Sequence, residues 1–216
     1  MKGDPIKASV LATKIIPNVD PELAQELGLT PDQKSLALIT SDCDDVTYTA
    51  LDEATKAADV KVVYAKSCYA GAPNATQKSA GEIIGILAGP NPAEAKAGLK
   101  ACVDMVENVA HFISANEDDT IAYYAHCISR TGSYLSAGAG IAEGEALAYL
   151  IAPPLEAIYG IDAALKAADV SMCVLYAPPS ETNFGGALLT GSQSACKAAC
   201  QAFGAAVEYA AEKPLD

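Results

Sequence analysis

Residues 52–60 read Asp-Glu-Ala-Thr-Lys-Ala-Ala-Asp-Val, and residues 162–170 repeat them as Asp-Ala-Ala-Leu-Lys-Ala-Ala-Asp-Val. Seven of the nine positions are identical, and the two copies begin 110 residues apart. This spacing is too long for one unit of a solenoid, whose repeats are about 20–50 residues long. The pattern therefore predicts a duplicated domain of roughly 100 residues, at the lower end of the usual domain size.

The flanks of the two copies follow the same order of predicted elements. Each copy is a helix that follows a short apolar strand and is followed by a strand, a loop, a strand and a second helix. These predicted flanking elements cover residues 35–39, 60–64, 83–89 and 92–108 in the first half and 146–151, 170–176, 186–191 and 192–208 in the second. A further strand precedes each half, at residues 7–16 and 120–128. Helices that cover a mixed sheet predict an α+β fold.

Composition and charge exclude several classes of protein. The chain has 216 residues, of which 51% are apolar and 19% charged, and its formal net charge is −13. This acidity argues against nucleic-acid and anionic-membrane binding, because both need a cationic face. No apolar stretch reaches the roughly 20 residues of a membrane span. Asp4 and Pro5 interrupt the apolar core that a secretory signal needs, so we expect a cytoplasmic protein.

No set of residues matches a catalytic centre. The only histidines are His111 and His126, which is few for metal or acid–base chemistry. Cys196 and Cys200 share a helix face, but two thiols without further ligands favour packing. The sequence therefore predicts no enzymatic activity, no catalytic residue, no metal site and no cofactor bound for catalysis.

Several motifs resemble those of bacterial microcompartment shell proteins. The repeat itself resembles the shell domain, and the strand placed before each half is similar to the circularly permuted tandem members of that family. The closest likeness is to their ethanolamine-utilisation type. It rests on Ser41–Tyr48 (SDCDDVTY), Gly89–Ala95 (GPNPAEA), Ser129–Leu135 (SRTGSYL) and Pro178–Asn183 (PPSETN).

The resemblance implies an architecture and an assembly. It implies two tandem circularly permuted shell domains, at residues 1–116 and 117–216, with the polar run Glu117–Thr120 at their boundary. It also implies a homotrimeric, pseudohexameric tile that contacts other shell proteins laterally in the microcompartment shell. Such a tile has a central pore that opens and closes, for which cobalamin is a candidate ligand or passing molecule. One small pore in each subunit binds ethanolamine.

The acidic turn Ser41–Asp45 has two interpretations from its residues alone. It is either a solvated turn with a helix-capping Asp or a cation site, and it lacks the Gly and Glu of an EF-hand. The resemblance favours an ethanolamine site formed by Asp44, Asp45, Glu82, Phe112, Thr182, Asn183 and Phe184. It places a pore gate at Tyr69, Ala70, Gly71, Glu181, Thr182, Asn183 and Phe184.

A protein of another class remains an alternative at this point. A soluble amine-sensing regulatory protein, built from a duplicated ligand-binding domain, would also explain the repeat and the acidic turn. It would not need two matched loops near a symmetry axis or contacts between tiles.

Overall fold

The computed structural model of the chain describes residues 1–68, 82–180 and 183–216. These residues form two compact units. The N-terminal unit contains residues 7–110 and 132–135, and the C-terminal unit contains residues 1–6, 111–131 and 136–216. Each unit therefore includes a short piece of chain from the other half of the sequence.

The N-terminal unit is a four-stranded sheet covered by helices. Its strands lie in the order β2-β3-β5-β4, and each neighbouring pair is antiparallel. Helices α2 and α3 pack against each other and against this sheet. The elements are β2 (Val10–Ile16), α1 (Pro21–Glu26), β3 (Ser35–Ser41), α2 (Asp44–Ala57), β4 (Lys61–Ser67), β5 (Ile83–Gly89), α3 (Pro92–Asp104) and a π-helical segment (Met105–Val109).

The packing of this unit depends on a close approach of helix α2 to strand β5. Leu36, Leu51 and Leu87 are fully buried between the sheet and the helices. A Cβ atom at Gly85 would lie 2.9 Å from the Cδ1 atom of Leu51, so a larger residue would push the helix away. Gly85 thus allows helix α2, which carries the acidic residues, to lie directly on the sheet.

The C-terminal unit has a six-stranded sheet with the order β1-β6-β7-β8-β10-β9. Its core includes Leu150, Ile161, Phe203 and Val207, which come from strand β8 and from helices α5 and α6. The elements are β1 (Pro5–Lys7), β6 (His111–Ser114), β7 (Ala122–Ile128), α4 (Ser133–Ala139), β8 (Ala146–Ala152), α5 (Pro154–Ala167), β9 (Val170–Tyr176), β10 (Gly185–Gly191) and α6 (Gln193–Glu212). The last residue of β1 and the first three residues of α4 are counted in the N-terminal unit.

The strand order confirms the predicted duplication. The order β7-β8-β10-β9 repeats β2-β3-β5-β4, again with antiparallel neighbours. The nine-residue repeat falls at the end of α2 in one unit and at the end of α5 in the other. The α+β fold expected from the sequence is therefore present twice.

Helix α4 differs from the sequence-based expectation, and the domain boundary stays untested. Residues 133–139 form helix α4, which was not predicted from the sequence; Gly140 has a φ of +68° and lies just beyond the helix. Glu117–Thr120 lies between β6 and β7, which pair as neighbouring antiparallel strands. The domain boundary between residues 116 and 117 stays a prediction, because compact packing does not define the ends of a repeat.

Candidate functional site

The acidic turn places Asp44 and Asp45 in the first turn of helix α2. Strand β3 ends at Ser41, whose Oγ atom donates to the Cys43 carbonyl oxygen at 2.9 Å and lies 2.5 Å from Thr47 Oγ1. These bonds hold the turn between strand and helix in one conformation. Carboxylates at a helix N-terminus are favoured by the partial positive charge there.

A chain of hydroxyl groups fixes the Asp44 carboxylate. Ser67, at the end of strand β4, donates from Oγ to Asp44 Oδ2 at 2.7 Å, and Tyr48 Oη lies 2.8 Å from the same serine Oγ. Asp44 Oδ1 also accepts from the Asp45 backbone N–H at 2.9 Å. The side chain of Asp44 is thus oriented by strand β4 and by the first two turns of its own helix α2, and the residue is only 7% exposed.

Glu82 is the third acidic residue of this group. Its backbone N–H donates to the Ser41 carbonyl oxygen at 2.7 Å, and its own carbonyl oxygen accepts from the Cys68 N–H at 2.7 Å. Glu82 is therefore attached to the same end of β3 from which Asp44 and Asp45 follow. The N-terminal unit brings the three predicted carboxylates together.

Burial and mutual repulsion disfavour the ionised carboxylates. Desolvation raises the pKa of Asp44 above its ordinary value. Desolvation also raises the pKa of Glu82, and the negative charges of Asp44 and Asp42 raise it further. A bound cation would relieve this repulsion, so the group is suited to a small protonated amine.

Aromatic side chains form a second group, in the C-terminal unit. The ring centroids of Phe112 and Phe184 are 6.1 Å apart with their planes nearly perpendicular, and Phe112 stacks on Tyr124 at 5.3 Å. The Ser180 N–H donates to the Phe184 carbonyl oxygen at 2.8 Å, and Asn183 between them has a φ of +65°. Asparagine tolerates this left-handed conformation better than most residues.

The described residues contain neither a metal centre nor a membrane span. Within residues 1–68, 82–180 and 183–216, no three His, Cys, Asp or Glu side chains are arranged to hold a metal ion. No helix in the same ranges is long and apolar enough to cross a bilayer.

Comparison with known proteins identifies the family. Residues 35–117 match the model of the BMC domain. The chain is 69% identical over 215 residues to the bacterial microcompartment shell protein EutL of Clostridium perfringens, covering 100% of this chain and 99% of that protein. It is 55% identical over 212 residues to EutL of Escherichia coli, covering 98% and 97%. The chain belongs to the EutL family of bacterial microcompartment shell proteins.

A solved structure supports the same assignment. The crystal structure of EutL from Leptotrichia buccalis superposes with a TM-score of 0.98 at 68% identity and covers 100% of both chains. EutL-family membership gives the chain a structural role in the microcompartment shell, among other shell proteins. This role argues against an enzyme and leaves the amine-sensing alternative without a specific observation in its favour.

The predicted ethanolamine residues of this EutL-family chain fall into separate sets. Asp44, Asp45 and Glu82 lie in the N-terminal unit, and Phe112, Asn183 and Phe184 lie in the C-terminal unit. Thr182 lies outside the described residues, as do the predicted gate residues Tyr69, Ala70, Gly71 and Glu181. Ethanolamine binding and the pore gate therefore stay predictions.

Sequence reasoning missed Ser67 and Tyr48, which position Asp44. Tyr48 stands one helical turn after Asp44, and a turn of three or four residues places side chains on the same helix face. That spacing could have identified Tyr48. Ser67 gave no such signal, because its contact with Asp44 depends on the pairing of strand β4 within the sheet.

Proposed function

We propose that three copies of this chain form a pseudohexameric shell tile with a central gated pore and small ethanolamine-binding pores. The full-length match to EutL proteins supports a shell role, and the repeated strand order gives each chain two similar units. Three chains would supply six such units, which is the number that a hexagonal tile requires. The central pore would pass a metabolite or a bulky cofactor such as cobalamin.

The observation that carries the ethanolamine proposal is the Asp44 carboxylate. It is buried and oriented by Ser67, and within the described chain neither Asp44 nor Glu82 forms an ion pair with a lysine or arginine. Ethanolamine is an ammonium ion near neutral pH and also carries a hydroxyl group. Carboxylates would accept from its ammonium, and neighbouring hydroxyl groups suit its alcohol end.

Calorimetric titration with ethanolamine tests this site. We expect Asp44→Asn and Glu82→Gln each to weaken binding about tenfold or more, because each removes a charge-assisted hydrogen bond of roughly 1.5–3 kcal/mol. The matched control is Glu107→Gln, an exposed glutamate on the π-helical segment. Unchanged affinity in both site variants would remove these carboxylates from the ethanolamine site.

The native mass tests the trimer separately. Light scattering coupled to size exclusion should give a species near three times 22.1 kDa, with larger sheets on concentration. A monomer or dimer at all concentrations would remove the threefold axis and the central pore.

The predicted gate and the predicted ethanolamine site share Thr182, Asn183 and Phe184. Because a ligand that contacts these residues would interact differently with two gate states, its binding would shift the gate equilibrium. We propose that ethanolamine favours the closed state. Electron microscopy of the trimer at saturating ethanolamine would contradict this proposal if every particle had an open pore.

A further inference from the structure

A tyrosine from the second half of the sequence lies on helix α2 of the N-terminal unit. The Asp52 carboxylate accepts from the Gly132 N–H at 2.7 Å and from the Leu135 N–H at 2.8 Å. Tyr134 lies between these two positions in the chain, and its ring stacks on the ring of Tyr48, with centroids 6.2 Å apart and planes at 28°. The anchored backbone therefore holds one ring against the other.

The hydrogen bonds that start at Tyr48 have a fixed direction. The Ser67 hydroxyl donates to Asp44 Oδ2 at 2.7 Å, and a hydroxyl has only one hydrogen to donate. Ser67 therefore accepts in the bond that joins it to Tyr48 Oη at 2.8 Å. Burial raises the pKa of Tyr48, so its phenol keeps the proton that this bond needs at neutral pH. The chain runs from phenol to serine to carboxylate, and such chains strengthen their last bond.

The ionised form of Asp44 depends on this chain of hydroxyl groups. Burial raises the pKa of Asp44, and the hydrogen bond from Ser67 is the largest of the interactions that oppose this rise. The ionisable groups described around Asp44 are Asp42, Cys43, Asp45, Tyr48 and Glu82. None of these groups supplies a positive charge that would stabilise the carboxylate.

The duplicated unit shows that the fold itself does not require the three polar side chains of this chain. Helices α2 and α5 are both 14 residues long, so their positions correspond one to one. At the corresponding positions, 110 residues later, the C-terminal unit has Pro154, Ile158 and Ala177. It has the same strand order without any of the three polar groups. The hydroxyl chain therefore serves the acidic site rather than the fold.

We propose that Tyr134 is a positioning residue of the amine site, which acts on the Asp44 carboxylate through Tyr48 and Ser67. The inference rests on the proposed ethanolamine site. Tyr134 does not need to touch the amine. Its ring keeps the Tyr48 phenol in line with the serine, so that the carboxylate stays ionised and keeps one orientation. The second half of the sequence thus contributes to a site whose carboxylates all come from the first half.

Calorimetric titration of the full chain with ethanolamine at several pH values tests this role. Tyr134→Ala and Tyr48→Phe should each weaken binding about three- to tenfold at neutral pH, which is the effect of one net hydrogen bond. Both should also move the loss of affinity at low pH to a higher pH, because Asp44 then binds a proton more readily. Tyr134→Phe keeps the ring and should retain the wild-type affinity and pH profile. A role in stability alone would lower Tm without moving this profile.

Two comparisons isolate the path through Tyr48. The double variant Tyr48→Phe/Tyr134→Ala should bind no more weakly than Tyr48→Phe alone, since Tyr134 acts through the phenol. The matched control is Tyr209→Ala in the C-terminal unit. Tyr209 stacks on Tyr159 with centroids 6.3 Å apart and planes at 24°, so the control removes a similar ring pair. It should leave the affinity and the pH profile unchanged.

The outcomes separate this inference from the proposed ethanolamine site. If the wild-type chain binds ethanolamine and Tyr134→Ala has the same affinity and pH profile, the inference is overturned and the site stands. A wild-type chain that does not bind ethanolamine would overturn both. Tyr134 is half-buried and Asp52 holds the backbone on each side of it, so Tyr134→Ala should fold, which its circular dichroism spectrum would verify. If it does not fold, Tyr134→Leu fills the space without a ring that can stack, and wild-type binding by that variant would overturn the inference.

Discussion

Replacing Asp52 with alanine should destabilise the N-terminal unit far more than a typical helix-surface substitution. The carboxylate accepts from two backbone N–H groups of residues 132–135, at Gly132 and Leu135, and is almost completely buried. The alanine variant would leave both N–H groups without their acceptor. A Cβ atom at Gly132 would lie 2.6 Å from the Asp52 carbonyl oxygen, so the segment is packed too closely for a large rearrangement.

The magnitude follows from these two hydrogen bonds. A buried donor left unsatisfied costs about 1–3 kcal/mol, so two such donors could cost about 2–6 kcal/mol. Part of this cost is offset, because desolvation raises the pKa of Asp52 and thus makes its ionised form less favourable in the folded chain. We therefore expect a net loss of about 2–4 kcal/mol. For a chain of this size the loss corresponds to a fall in Tm of roughly 5–15 °C.

Calorimetric melting of the full chain measures this effect. The control is Glu53→Ala, since Glu53 is the next residue of the same helix and pairs with Lys56 at 2.5 Å on a partly exposed surface. An ion pair of this kind contributes about 0–1 kcal/mol. If the Asp52→Ala and Glu53→Ala variants melted within 1 °C of each other, the position of residues 132–135 on helix α2 would not depend on Asp52.

Three further results are expected from simple perturbations. Gly160→Ala should lower the free energy of unfolding by about 1–3 kcal/mol, because its Cβ atom would lie 2.7 Å from the ring of Phe203 in helix α6. In the same melting assay the control Gly138→Ala, which has open space around it, should be neutral or stabilising. Burial raises the pKa of the Cys102 thiol to about 12. A thiol reagent should therefore modify the exposed Cys68 first and Cys102 only after unfolding, and equal rates of modification in the native protein would contradict this. Ethanolamine affinity should fall as the pH drops through the pKa of Glu82, because protonation removes its negative charge. Since this pKa is raised above the ordinary value of 4.5, the fall should begin above pH 4.5. Calorimetric titrations that showed constant affinity down to pH 4.5 would exclude a role for Glu82.

The repeat and the apolar runs were sufficient to predict most of the fold. Strands β3, β5, β8 and β10 lie inside their sheets, so their sequences are short and strongly apolar, and the structure confirms them within one or two residues. The covering helices were found because the nine-residue repeat lies on two of them. These features are local, and local patterns are what a sequence shows most directly.

The elements that sequence reasoning missed depend on distant contacts. Helix α4 contains small residues and two nearby glycines, which favour a loop when they are considered alone. Its first residues are held by Asp52, about 80 positions away in the sequence. The nine-residue repeat gives Asp52 and Asp162 almost the same neighbours, yet Asp52 is 1% exposed and the Asp162 side chain is 61% exposed. A local pattern could not distinguish the two copies.

In the candidate site, too, the contacts between sequence neighbours were predictable and the contacts made by strand pairing were not. Asp44 and Asp45 follow one another in the sequence, so their proximity was predictable. The approach of Glu82 requires β5 to pair with both β3 and β4, which no local pattern specifies. Its identification depended on the resemblance to shell proteins.

The exchange of short segments between the two units has a consequence for how this chain could be divided. Residues 1–6 belong to the C-terminal unit, and residues 132–135 belong to the N-terminal unit. Any single break between residues 7 and 131 would leave each fragment holding a piece that the other fragment needs. To divide the chain into two proteins, each exchanged segment would therefore have to be moved to the fragment whose unit contains it.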